Sequence, residues 1–185
     1  METFKELLIV MIACIGANNF ILKNFVGYDS LTKEAKSAKN PLWVAILLTV
    51  TLLIAATIVN ALEIALIPAV PALRTLIYVA VIMIAAYVVS LVADRIAALK
   101  GNVTFTSILL NSAVLGTLLL LNVNGYTWAQ SYFAVLGTGI GYYLVSLIMN
   151  GIVDRISMKY IPKSFRGYPI YLAAFSIVAM AIYAL

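Results

Sequence analysis

Six apolar stretches run along the chain, at roughly 4–27, 41–66, 73–93, 104–122, 128–151 and 167–185, with short polar segments between them. Each is close to the ~20 residues that an α-helix needs to cross the hydrocarbon core of a bilayer. Inside lipid every backbone N–H and C=O must find a partner within the protein, which leaves helices or closed barrels. The Leu/Ile/Val/Ala runs are continuous and lack the two-residue alternation of barrel strands, so they predict about six transmembrane helices. The breaks agree. Asn40-Pro41 opens the second stretch, Pro68 and Pro71 bracket the turn after it, and Gly101-Asn102 precedes the fourth. Asn124-Gly125 follows the fourth, and Pro162 lies before the sixth. Glu2 and Glu6 flank the start of the first stretch and no small-residue cleavage site follows, so it is expected to be a retained span rather than a removable signal.

Composition strengthens this reading. Of 185 residues, 64% are hydrophobic and only 10% charged, with a mean hydropathy of +1.08. Soluble domains carry roughly 25% charged residues, so this chain needs lipid as part of its solvent. The net charge of +5 is therefore no nucleic-acid footprint. Its distribution reports orientation instead. Lys33, Lys36, Lys39, Arg95, Lys100, Arg155, Lys159, Lys163 and Arg166 fall on one side of the spans, against Lys5 and Arg74 on the other, with Lys23 near the end of span 1. Short loops rich in Lys and Arg stay in the cytoplasm. Both termini are therefore expected outside, in a plasma (inner) membrane protein whose basic loops are cytoplasmic.

Chemistry is sparse. The chain has one cysteine, Cys14, and no histidine, which excludes an internal disulfide, a thiolate metal site of its own and the usual general base. No phosphate-binding loop, dinucleotide fingerprint or nucleophile elbow occurs. No catalytic residue is assigned, and the chain is expected never to suffice for catalysis alone.

Six spans divide into two sets of three, approximately 1–100 and 101–185, within one integral membrane domain. Three is odd, so the second set enters from the opposite face and any duplication is inverted. Span 1 carries Gly16-Ala17-Asn18-Asn19-Phe20 and span 4 carries Asn111-Ser112-Ala113-Val114-Leu115-Gly116. Each sets asparagine beside glycine in an apolar helix. Inverted-repeat membrane proteins place their working sites where interrupted helices meet near the midplane. Asn18, Asn19, Gly27, Asn111 and Gly116 are thus candidates for an intramembrane polar site. The plainer reading is that such amides only hydrogen-bond between helices, for ~1 kcal/mol or less. Glu63, Asp94-Arg95 and Asp154-Arg155 lie at span ends, where charge is cheap and an interfacial role suffices. Cys14 reads as a small hydrophobe.

Several of these segments together resemble the Rnf/Nqr membrane-subunit family. Asn18-Asn19-Phe20-Ile21-Leu22 with Phe25-Val26-Gly27 resembles its first span, and Leu73-Arg74-Thr75 its second-to-third turn. Asn111 to Gly116 with Leu121-Asn122 resembles its fourth span, and Pro162-Lys163-Ser164-Phe165-Arg166-Gly167 the opening of its sixth. The order and spacing hold over nearly the whole chain, and outside termini match the Rnf A / Nqr E branch. The resemblance implies an all-α membrane protein of six transmembrane helices, built as two inverted three-helix repeats with spans 1 and 4 as interrupted half-helices. It implies a component of an ion-translocating electron-transport complex. An oppositely oriented homologue (Rnf E / Nqr D-like) pairs with such a component, and flavins are carried by other subunits.

The resemblance also implies a [2Fe-2S] cluster shared with the sister subunit, held by one cysteine from each half. Here the chain departs from the pattern. Asp29 stands at the first cysteine position and Ser112 at the second. Soft thiolates hold iron–sulfur clusters, and oxygen ligands in both places weaken such a site. The expected reading is a redox-complex subunit without a conventional cluster of its own. The alternatives are a stand-alone small inverted-repeat transporter, with Asn18, Asn19, Asn111 and Asp29 along its path, or a purely structural membrane subunit.

Overall fold

The computed structural model describes residues 4–16, 18–27, 41–65, 71–95 and 112–183. Every long element among them is an α-helix: α1 (Phe4–Ile15), α2 (Phe20–Asn24), α3 (Pro41–Ala65), α4 (Arg74–Arg95), α5 (Ser112–Val123), α6 (Trp128–Arg155) and α7 (Tyr168–Tyr183). Short 3-10 turns at Pro71–Leu73, Met158–Tyr160 and Lys163–Phe165 lead into or connect them. The protein is an all-helical, multi-pass membrane protein. Helices α3, α4 and α6 are long and apolar enough to cross a bilayer, whereas α5 and α7 are shorter apolar helices.

Length explains the difference. At ~1.5 Å per residue, the 25 residues of α3 and the 28 of α6 exceed a hydrocarbon core of ~30 Å. The 12 residues each of α1 and α5 reach only ~18 Å, about half of it. Span 1 is therefore broken into α1 and α2, as its polar interruption predicts. The described part of span 4 is α5, Ser112–Val123.

Helix α6 is the hub. It packs against α1, α2, α3, α5 and α7, while α3 packs against α4, α5 and α6. The buried core runs through this junction and includes Leu48, Leu52, Val114, Leu118, Val135 and Tyr142. The sequence Gly137-Thr138-Gly139-Ile140-Gly141 lets α6 approach two neighbours at once. A Cβ on Gly137 would lie 2.5 Å from the Met11 carbonyl oxygen and 2.9 Å from the Cys14 Cβ, so α1 rests on bare α6 backbone. One turn on, a Cβ on Gly141 would lie 2.6 Å from the Asn19 side-chain nitrogen. Gly139 faces the other way, against Thr49 of α3. Within lipid there is no hydrophobic gain from helix association, so such close backbone contact, spaced small-x-x-x-small, supplies the attraction. Replacing Gly139 by leucine is expected to force α3 and α6 apart and lower the thermal midpoint of the detergent-purified protein. The overpacking cost is about 1–3 kcal/mol.

Candidate functional site at the broken spans

Span 1 breaks because its residues stop supporting a helix and one of them satisfies what the break exposes. Gly16 and the Asn pair are poor helix formers. The break would strand carbonyls of α1 and amides of α2 inside the membrane, each costing several kcal/mol. Asn19 meets both ends. Its Nδ2 donates to the Ile15 carbonyl at 3.1 Å, and its Oδ1 accepts from the amides of Ile21 at 3.0 Å and Leu22 at 3.4 Å. Backbone bonds from Gly16 to Ile12 and from Asn18 to Ala13 close the rest of the α1 end. Asn19 is buried, and its burial follows from the bare backbone of Gly141 beside it.

Beyond α2 the chain turns left-handed at Phe25 (φ 55°) and again at Gly27 (φ 83°), a conformation that glycine adopts freely. This turn delivers Val26-Gly27 onto the first residues of α5. The Gly27 amide donates to the Ser112 Oγ at 3.0 Å, and Val26 sits on Gly116 so closely that a side chain there would collide with it. Phe25 stacks edge-on against Phe175 of α7, with ring centroids 5.3 Å apart. The end of the broken first span and the Ser112–Gly116 turn of α5 thus meet at one point.

The donors at this point do not suit a thiolate-held cluster. Ser112 offers a hydroxyl whose oxygen already accepts the Gly27 amide. The one cysteine of the chain, Cys14, is fully buried on α1 and hydrogen-bonded to Tyr126. Among the described residues no group of three or more His, Cys, Asp or Glu side chains could hold a metal ion. Replacing Ser112 by alanine is therefore expected to leave the iron content of the purified protein unchanged. It would strand the Gly27 amide, lowering stability by about 1–3 kcal/mol.

A second polar cluster lies where α3 and α5 end and α4 and α6 begin. Glu63 of α3 pairs with Arg74 of α4: Nε lies 3.2 Å from Oε1 and Nη2 donates to Oε2 at 3.3 Å. The Arg74 Nη1 donates to the Asn122 Oδ1 of α5 at 3.1 Å. The Tyr78 hydroxyl donates to Glu63 Oε1, the same oxygen that faces the Arg74 Nε. Beside them is a cavity of about 190 Å³. Tyr126, in the turn between α5 and α6, reaches from this cavity to the Cys14 thiol. Burial, and then the thiol, push its hydroxyl pKa upward, so it stays neutral.

Of the residues singled out from the sequence, the structure joins Gly27, Ser112 and Gly116. Asn19 lies at the opposite end of α2 and serves as a cap. Asn18 is exposed, and its Oδ1 accepts from Lys23 at 3.2 Å. Because α1 stops at Ile15, Cys14 and Asn18 do not share a helical face. Asp29 and Asn111 lie outside the described residues. From sequence, Glu63 reads as interfacial, and Asn60, Tyr78 and Tyr126 do not stand out. The available signal was Glu63 and Arg74 flanking one short turn.

A model of the Rnf-Nqr family, described as Rnf-Nqr subunit, membrane protein, matches residues 7–185. The chain is 28% identical over 181 residues to the A-subunit of the Na(+)-translocating ferredoxin:NAD(+) oxidoreductase complex of Acetobacterium woodii, covering 95% of this chain and 94% of the relative. It is 25% identical over 182 residues to the A-subunit of the ion-translocating oxidoreductase complex of Syntrophotalea carbinolica, with 96% and 94% covered. It is 28% identical over 185 residues to the protein of the same name in Erwinia tasmaniensis, with 95% and 94% covered. The chain belongs to the Rnf-Nqr family of membrane-protein subunits.

Proposed function

We propose that this chain is the A-type membrane subunit of an ion-translocating oxidoreductase complex, built from two inverted repeats and carrying no thiolate cluster of its own. The observation that carries the reading is the meeting of the first and fourth spans at Gly27, Ser112 and Gly116. The packing supports the repeats. Exchanging spans 1, 2 and 3 for spans 4, 5 and 6 turns the α1–α6 contact into α3–α5, the α2–α7 contact into α4–α5, and α3–α4 into α6–α7, all of which are present. The positive-inside distribution orients the bundle in the plasma (inner) membrane with both termini outside. An oppositely oriented homologue of Rnf E / Nqr D type is its expected neighbour, with flavins on other subunits.

Affinity purification from native membranes tests this. The chain is expected to bring down a second six-span homologue and flavin-bearing subunits. Its recovery as a stable homodimer, able alone to move solute in vesicles, would favour the stand-alone transporter instead.

A further inference from the structure

The cavity beside Glu63 is lined by the last turns of α3, from Ala56 to Ile64, and by the beginnings and ends of α4, α5 and α6. It therefore enters the bundle at one end and reaches inward by eight residues of α3, or ~12 Å. In the orientation proposed above, that end faces outward. Its volume of about 190 Å³ accommodates roughly six waters at ~30 Å³ each. One wall calls for them. The Asn60 side-chain nitrogen is buried and has no hydrogen-bond partner among the described residues, and Asn60 lines the cavity. A buried donor left unmet in protein is commonly met by water.

The polar atoms on these walls form an oxygen-rich set: both Glu63 carboxylate oxygens, the Asn122 Oδ1 and the Tyr78 hydroxyl. The Arg74 guanidinium contacts three of them, both Glu63 oxygens and the Asn122 Oδ1. Arg74 is thus a tethered cation seated in an oxygen site. Its side chain is 40% exposed against 19% for Glu63, so the arginine lies toward the outside of the cluster and the carboxylate toward its centre. Hard oxygen donors around a single negative charge suit a small hard monovalent cation rather than a soft metal. The charged and titratable groups facing Glu63 are Arg74 and Tyr78 from α4. Helix α5 supplies Asn122, the α5–α6 turn Tyr126, and α6 Ser131.

We propose that this cavity is a water-filled vestibule open to the outer face, in which Glu63 takes up a small monovalent cation, a proton or a sodium ion, in competition with Arg74. The inference rests on the reading of the chain as part of an ion-translocating complex. No feature of the broken-span crossing enters it.

Cysteine accessibility in sealed vesicles containing the intact complex tests it. Asn60→Cys is placed in a Cys14→Ser background and treated from the outer side with a membrane-impermeant methanethiosulfonate. Asn124→Cys, in the exposed α5–α6 turn, serves as the rate reference. Asn60→Cys is expected to react, and the ratio of the two rates reports occupancy. If sodium is the cation, NaCl lowers the ratio and choline chloride does not. The slowing is about elevenfold at ten times the dissociation constant. If the proton is the cation, the ratio shifts with pH and is indifferent to sodium. Glu63→Gln removes either response while labelling persists, and Arg74→Gln makes a sodium response appear at lower concentration. Absence of outer-side labelling, or a ratio indifferent to both sodium and pH, overturns the proposal. Because labelling is read on complex that has already co-purified, failure here is distinct from failure of the functional reading, which would show as missing partners.

Discussion

Replacing Gly141 by leucine is expected to be among the most damaging single substitutions in this protein. The new Cβ alone would stand 2.6 Å from the Asn19 amide nitrogen and 3.2 Å from the Cys14 carbonyl oxygen, before the branched remainder of the side chain is placed. Neither neighbour yields easily. The carbonyl is backbone, and the amide is fixed by bonds to both ends of the broken helix. Overpacking a well-filled core typically costs about 1–3 kcal/mol and occasionally more, and this site belongs at the top of that range because α1 itself must move. The measurement is the thermal midpoint and yield of the detergent-purified variant. Gly151→Leu on the same helix is the control, since a Cβ on Gly151 meets nothing within 4 Å. A Gly141→Leu protein as stable as the control would contradict the close approach of α1 to α6.

Asn19→Ala is the second change with a large expected effect. A lost N-cap costs about 0.5–2 kcal/mol, and a carbonyl left without its donor adds about 1–3 kcal/mol. The Ile15 carbonyl is left so, and the α2 amides of Ile21 and Leu22 lose their acceptor. Together the loss is expected to reach about 2–4 kcal/mol, with α2 and the Val26-Gly27 turn behind it losing order. Hydrogen exchange over residues 18–27 reads this directly and is expected to accelerate there while α3 keeps its protection. Asn18→Ala is the matched comparison. It loses only an exposed contact with Lys23, and its effect is expected to stay within ~0.5 kcal/mol. The two sites also couple. In an Asn19→Ala protein the amide that blocks a side chain at Gly141 is gone. Gly141→Ala is then expected to cost less than it does alone, although the Cys14 carbonyl remains at 3.2 Å.

These two predictions show which parts of the molecule can be read from the chain. The long spans are legible because bilayer thickness fixes their length. The stretches expected at 41–66 and 128–151 form α3 at Pro41–Ala65 and α6 at Trp128–Arg155, the latter extending past its apolar run. The interruption of span 1 is legible because glycine and two adjacent asparagines are poor helix formers in an otherwise apolar run. The roles of Asn18 and Asn19 are not. Adjacent residues at a helix break point in unrelated directions, so one faces outward to Lys23 and the other turns inward to cap two helices. The contact of Gly27 with Ser112 joins residues 85 apart, and only the paired motifs in the two halves hint at it. The Glu63 cluster is harder still. Each charged residue sits at a span end, where solvation is the ordinary expectation, and only the convergence of four helix termini turns them inward around a cavity.

Ser112 accepts the Gly27 amide through a hydroxyl oxygen, which is not a soft ligand. The contact between the first and fourth spans is made by backbone geometry and small residues.

The meeting of the first and fourth spans carries the functional reading, and one cross-link tests it. A Cβ on Gly116 would lie 3.2 Å from the Val26 Cβ, close to the ~3.8 Å spacing found in disulfides. In a Cys14→Ser background, Val26→Cys with Gly116→Cys is expected to form an intramolecular disulfide in native membranes under mild oxidation, seen as a mass lower by two hydrogens. Two thiols that stay free under that oxidation and react fully with a lipid-soluble maleimide would show that the first and fourth spans do not meet there.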